Sequence, residues 1–338
     1  MLKLDAKDRK ALYYLSEDAR MSDRQLAKKI GLSKNSVKYR LDRLQKEGVL
    51  VNFTCSIHLG AVGLDTFCLM LKFKEDIYEH EKTLDYFKNH KFSNWAISLS
   101  GDWDIFAEFV YSDLFDGKRI INEIINDFGQ DLLTYRAFFS NEPIKINHLV
   151  ADAYKDLKLE PHESKPRTNA KIKLDYEDKI LLNLLANDSS ASFVKLAELS
   201  GRSIDSIRYR IRQLKNSGVI MRFFPEVSLK KIGYTEYLFN LKIKQPSEKK
   251  VNQLKEFIKS NTSATYAFFD TFTLNLVFTC ALKSSDELDH LARSIRKNYS
   301  EILDEQTYLA IKEQLVFNTF PAGLIEGPVR KNLKKSNN

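Results

Sequence analysis

Ser33-Lys34-Asn35-Ser36-Val37-Lys38-Tyr39-Arg40-Leu41-Asp42-Arg43-Leu44-Gln45-Lys46-Glu47 decides how this chain is read, because the chain carries the pattern twice. Helical spacing puts Val37, Leu41 and Leu44 on one face, as i, i+4 and i+7 positions. The opposite face shows Asn35, Lys38, Tyr39 and Asp42, with Lys34 at the start and Arg43 near the end. Ser33 stands at the N-cap, where a hydroxyl accepts an orphan backbone N–H of the first turn. Gly48 stops the run, and Val49-Leu50-Val51 turns apolar and strand-like. A short helix with an apolar back and a basic, amide-bearing front suits a DNA major groove. It equally suits a solvated surface, and one copy does not separate the two.

The second copy does. Ser203-Ile204-Asp205-Ser206-Ile207-Arg208-Tyr209-Arg210-Ile211-Arg212-Gln213-Leu214 repeats the pattern, with Ile207, Ile211 and Leu214 as the core face. Asp205, Arg208, Tyr209 and Arg212 form its front, Ser203 opens it, and Gly218-Val219-Ile220 closes it. Lys3-Leu4-Asp5 recurs as Lys173-Leu174-Asp175, and Asp8, Leu12, Leu15, Leu26, Ala27, Gly31, Tyr39, Arg40, Leu44, Gly48, Phe53 and Gly63 recur at the same displacement. A register held this long is an internal duplication.

The chain has 338 residues, too many for one compact core, and is 43% hydrophobic and 29% charged, a soluble globular composition. Its net charge of +8 favours a polyanionic partner. Cys55, Cys68 and Cys280 are scattered without metal-ligand or redox spacing, and read as reduced residues of a cytosolic protein. No signal peptide and no bilayer-spanning apolar run is evident. No metal or cofactor is expected.

Along the chain, Asp5–Glu17 reads as a helix capped by Asp5, and Ser22 with Gln25 reads as the capping box of a second. With Val49–Phe53 as a wing strand, residues 1–54 form a winged helix-turn-helix. Residues 55–142 follow with strands at Thr66–Phe73, Trp95–Ser100, Ile105–Tyr111 and Leu132–Ser140, and helices at Glu79–His90 and Leu114–Phe128. That order, βαββαβ, is the ferredoxin-like motif. Residues 173–224 and 225–320 repeat the two domains, ending in a strand around Thr307–Ile311. The fold class is therefore α+β. Residues 143–172, polar and proline-bearing, read as a linker with a short helix at most over His148–Leu157. Residues 321–338 read as a basic tail.

A winged helix-turn-helix followed by a βαββαβ domain resembles the Lrp/AsnC (feast/famine) family of bacterial and archaeal transcription regulators. The resemblance is carried by Leu4-Asp5…Asp8, Gly31-Leu32-Ser33…Ser36-Val37…Arg40-Leu41…Leu44…Gly48-Val49, Gly63 and the turn Gly101-Asp102-Trp103-Asp104. The tandem fusion departs from the family's single-unit chains. The resemblance implies a cytoplasmic, nucleoid-associated regulator that binds double-stranded DNA, pairs its units within the chain and assembles further into a homo-oligomer. It implies ferredoxin-like effector domains of the RAM type. It also implies an amino-acid-like effector near Gly101, Asp102 and Asp104. The corresponding Asp270-Thr271-Phe272-Thr273 lacks the glycine, so any such site is expected in the first half only.

The residues expected on DNA are Lys34, Asn35, Lys38, Tyr39, Arg43, Ser203, Asp205, Arg208, Tyr209 and Arg212. Arg40 and Arg210 sit nearer the buried flank, bracing the helix or reaching a phosphate. Two other readings compete with the regulator. Sirohaem decarboxylases share the architecture, but their His-Arg-x-x-Gly-Tyr-like run is incomplete here at Ile57-His58-Leu59-Gly60 and Lys230-Lys231-Ile232-Gly233-Tyr234. An architectural protein would coat DNA with little sequence preference.

Overall fold

The computed structural model describes residues 2–74, 81–140, 143–160, 171–244 and 247–326. The first half runs α1 (Ala6–Glu17), α2 (Asp23–Ile30), α3 (Lys34–Lys46), β1 (Leu50–Ile57), β2 (Asp65–Phe73), α4 (Glu81–Asn89), β3 (Ser93–Ser100), β4 (Ile105–Tyr111), α5 (Leu114–Phe128), β5 (Leu132–Ser140) and β6 (Pro143–Ile146). The second runs α6 (Tyr176–Asn187), α7 (Phe193–Ser200), α8 (Ile204–Asn216), β7 (Ile220–Val227), β8 (Thr235–Ile243), α9 (Glu248–Ser260), β9 (Ala264–Asp270), β10 (Asn275–Leu282), α10 (Ser285–Tyr299), β11 (Leu303–Phe317) and α11 (Gly323–Glu326).

The winged-helix units are pinned by their caps. Asp5 accepts from the backbone N–H groups of Lys7 and Asp8, and Asp8 accepts in return from that of Asp5. Asp175 and Asp178 form the same box on α6. Each box also anchors α3 or α8. Arg40 donates to Asp5 and Asp8, both at 2.7 Å, and Arg210 to Asp175 at 2.8 Å and Asp178 at 2.7 Å. Both arginines are braces. Val37 and Leu44 are buried beneath α3, while Leu41 is half-buried.

The two units are joined by exchange. Strands β1 and β7 pair antiparallel, with Thr54 opposite Phe224, so residues at equivalent places in the duplication face one another. Each N-terminal unit then docks on the other unit's strand: Ala19 N–H donates to Phe223 O at 3.0 Å, and Ser189 N–H to Phe53 O at 2.8 Å. Thr54 Oγ1 adds a bond to Ala186 O.

Below this ribbon the sheet order β5-β2-β4-β3-β11-β8-β10-β9-β6 contains two ferredoxin-like sheets, joined where β3 pairs with β11. The two sheets bury one face against each other through Met70, Ile97, Phe106 and Phe138 from one side and Leu238, Phe268 and Val277 from the other. Helices cover the outer faces, with Ile120 and Ile124 of α5 buried and Ile121 and Ile125 half-buried.

Three expectations change. The segment 143–172 is no free linker over its described part. Pro143–Ile146 is an edge strand on β9, and Leu149, Val150 and Tyr154 are buried with Leu12 and Tyr13 of α1 and Leu229 and Tyr234. In place of a helix it makes two 3-10 turns, Ala151–Ala153 and Lys155–Leu157. The last strand is far longer than Thr307–Ile311, because its polar second half (Glu313, Gln314) pairs across to β3 in the other unit. Of the basic tail, residues 321–326 fold: α11 lies against α6, with Leu324 buried. Residues 327–338 lie outside the described part, as do 75–80 and 161–170.

The two braces differ in depth. Asp8 is 1% exposed and takes both Arg40 and Arg43, whereas the Asp178 side chain is 19% exposed and Gln213 stands where Arg43 would. Asp8→Ala should therefore cost about 2–3 kcal/mol, leaving two guanidinium groups short of a partner, and Asp178→Ala about 1 kcal/mol, by urea unfolding. Burial pushes the Asp5 and Asp175 carboxyls up, but the backbone bonds from Asp8 and Asp178 and the charges of Arg40 and Arg210 outweigh it and hold both below 3.8. Their stabilisation should be whole above about pH 4 and disappear as the pH falls through those lowered values.

Candidate nucleic-acid interface

The recognition helices are α3 and α8. Gly31 and Gly201 close the preceding helices with φ of +66° and +67°, left-handed positions that glycine adopts without strain. Ser33 and Ser203 then cap the recognition helices, accepting from Ser36 N–H and Ser206 N–H at 3.1 and 3.2 Å.

On α3, Lys34, Asn35, Lys38 and Tyr39 face solvent, Tyr39 at 70%. On α8, Asp205, Arg208, Tyr209 and Arg212 do so, with the Arg208 guanidinium over the Phe193 ring at 5.2 Å and that of Arg212 over Tyr209 at 5.8 Å. Asp205 stands 4.0 Å from Arg208 and trims its charge. Two expected DNA contacts are reassigned. Arg43 donates to buried Asp8 at 2.5 Å and is committed to the brace. The Ser203 hydroxyl is engaged as the cap.

The fold adds cations that the recognition stretch alone did not reveal. Arg24 and Lys28 on α2 are exposed and make no ion pair among the described residues. In the second unit the same places hold Val194 and Glu198. Placing the two copies of α2 in register would have found this; attention to the recognition helix passed over it.

The turn expected to bind an effector is largely structural. The Asp104 carboxylate is buried and accepts from Phe73 N–H at 2.7 Å. Gly101 has φ +127°, and a Cβ there would lie 2.8 Å from Leu309 Cδ2 of the facing unit. Its glycine serves that close approach. Of the two acids only Asp102 is exposed and open to a ligand; Gly101 is exposed too. In the second unit Asp270 accepts from Phe272 N–H, Thr273 Oγ1 and, across the interface, Phe139 N–H.

Between the units lies a cavity of about 1370 Å³, roofed by β1 and β7 and floored by the ends of the two sheets. Glu108 on β4 is buried in its wall and accepts from Tyr266 of the other unit at 2.9 Å and from Asn94. Burial pushes its carboxyl up against those bonds. Burial alone raises Glu236 to about 7. It holds His58 below its ordinary value, and His148 well below with help from Arg222.

Two exposed helices held on an exchanged ribbon define a protein with two DNA-reading heads. A model of the winged helix-turn-helix DNA-binding family matches residues 4–51 and 174–221. An uncharacterized HTH-type transcriptional regulator of Pyrococcus horikoshii is 31% identical over 134 residues, 36% of this chain and 78% of that protein. The HTH-type transcriptional regulator LrpA of Pyrococcus abyssi is 32% identical over 62 residues, 18% of this chain and 44% of that protein. The siroheme decarboxylase NirDL shares the fold over 92% of this chain and 93% of its own, at a TM-score of 0.60 and 13% identity. The chain belongs to the Lrp/AsnC family of DNA-binding transcription regulators, with two family units in one polypeptide. No helix among the described residues is long and apolar enough to cross a membrane.

The two acids of the first turn should separate cleanly. Asp104→Ala leaves the buried Phe73 N–H without an acceptor and should lower stability by about 1–3 kcal/mol. Asp102→Ala should stay within about 0.5 kcal/mol of the parent in the same unfolding titration.

Proposed function

We propose that one chain reads a single asymmetric DNA site, with α3 on one half-site and α8 on the other. The observation that carries this is the unequal chemistry left exposed once the braces are assigned. The first head offers Lys34, Asn35, Lys38 and Tyr39, flanked by Arg24 and Lys28; the second offers Asp205, Arg208, Tyr209 and Arg212 beside exposed Ile204. Asn35 and Lys34 face base edges, where an amide pairs with adenine in two bonds. Arg24, Lys28 and Lys38 bind phosphate and set register without reading sequence.

Two neighbouring readings find less support. For an amino-acid-like effector at the 101–104 turn, only Asp102 remains to meet an ammonium group. A sirohaem-type substrate carries several carboxylates, and among the described residues the inter-unit cavity is lined by Asp65, Glu108, Asp113, Glu226 and Glu236 with one lysine, Lys171. That lining offers the substrate's carboxylates few cationic partners. An architectural role predicts no preferred site, and the same experiment separates it.

Selection from random DNA should return a site whose halves differ; a perfect palindrome, or no enrichment, would overturn the proposal. Asn35→Ala should cost about 1–3 kcal/mol at one half-site only. Lys28→Ala should weaken all sequences alike and reduce the salt slope by about one.

A further inference from the structure

The cavity between the units has a chemistry of its own. Its volume of about 1370 Å³ accommodates a drug-sized molecule. Trp95 and Tyr111 from the first unit and Phe224 and Tyr266 from the second supply aromatic wall. Trp95 and Tyr266 meet edge to face across the unit boundary, with ring centroids 6.0 Å apart. Aromatic faces of this kind attract an organic cation, most strongly where water is excluded.

Several acidic side chains stand in the wall, and most already have donors. Glu236 is half-buried at the cavity wall and has no hydrogen bond or ion pair among the described residues. Asn147 is 8% exposed, lines the same space, and its side-chain amide makes no hydrogen bond among the described residues. Glu108 is already satisfied by Tyr266 and Asn94. Glu226 accepts from Gln314 and is pushed up by burial. Burial holds both lining histidines below their ordinary value, and Lys171 is the only lysine or arginine in the described lining.

We propose that this cavity is a binding site for one lipophilic organic cation per chain, its apolar body held between the aromatic walls and its charge facing Glu236. The duplication has drifted so that the site has a single polarity. Strand register sets Glu236 on β8 where the first unit has Thr66, and Glu108 on β4 where the second unit has Thr279. A ligand therefore meets one unsatisfied carboxylate, Glu236, and not a symmetric pair.

Calorimetric titration of the full chain at pH 8 with tetraphenylphosphonium, and with tetraphenylborate as the anion of the same shape, tests this. Tetraphenylphosphonium should bind at one per chain and at least about tenfold more tightly than tetraphenylborate. Glu236→Gln should cut that preference by about tenfold while leaving thermal unfolding intact, and Glu236→Asp should retain most of it. Equal affinity for the two ions, preference for the anion, or binding indifferent to Glu236→Gln would overturn the proposal. The comparison of the two ions on the unaltered chain stands even if a variant fails to fold. No DNA is present, so a negative result bears on the cavity and leaves the reading of the two heads untouched.

Discussion

The antiparallel pairing of β1 with β7 is the constraint on which the rest depends. Thr54 opposite Phe224 places a pseudo-two-fold axis through equivalent residues, so each unit must offer the other the surface it receives. The reciprocal bonds from Ala19 to Phe223 and Ser189 to Phe53 are the consequence. A two-stranded ribbon alone is marginally stable. Here it is clamped because α1 packs on β7 and α6 on β1, and the burial that stabilises each head is supplied by the opposite unit. The pairing thereby fixes the two recognition helices to one frame.

Much of this was legible in the sequence, for a physical reason. The caps, the turn glycines and the helix periodicities are local signals, and Asp5, Ser22, Gln25 and Leu114–Phe128 appear in the structure as read. What escaped was non-local. Pro143–Ile146 has a linker's polarity because it is an edge strand, whose pairing partner β9 lies more than a hundred residues away. The second half of β11 was missed because its partner β3 belongs to the other unit. Arg43 looked like a DNA contact because its helical position is outward; only the fold brings Asp8 within 2.5 Å. Asp104 was expected near an effector because its turn resembles the family's Gly-Asp-aromatic-Asp turn, yet its carboxylate accepts from Phe73 N–H.

Duplication inside one chain removes a restriction that identical subunits obey. In a homodimer every substitution appears twice, so a carboxylate placed in a shared cavity brings its symmetric copy and their mutual repulsion. In this chain Glu108 faces the hydroxyl of Tyr266, and Thr279 occupies the place where the copy would stand. The same freedom lets α2 carry Arg24 and Lys28 while α7 carries Val194 and Glu198. Asymmetry in the heads and in the cavity has one origin, the covalent link.

The whole-chain likeness to a decarboxylase and the shorter likeness to regulators address different levels. Fold is shared with both, and fold alone does not choose between them. The choice falls to charge in two places. On α2 and α3 the first head presents exposed, uncompensated cations, as a polyanion requires. In the cavity the balance differs: the described lining holds five acidic side chains and one lysine, and burial pushes the Glu108, Glu226 and Glu236 carboxyls up. A ligand with several carboxylates would find few cationic partners among the described residues of that wall, and a buried carboxylate without one is costly. Both electrostatic facts are compatible with a regulator whose outside meets DNA and whose inside meets something positively charged.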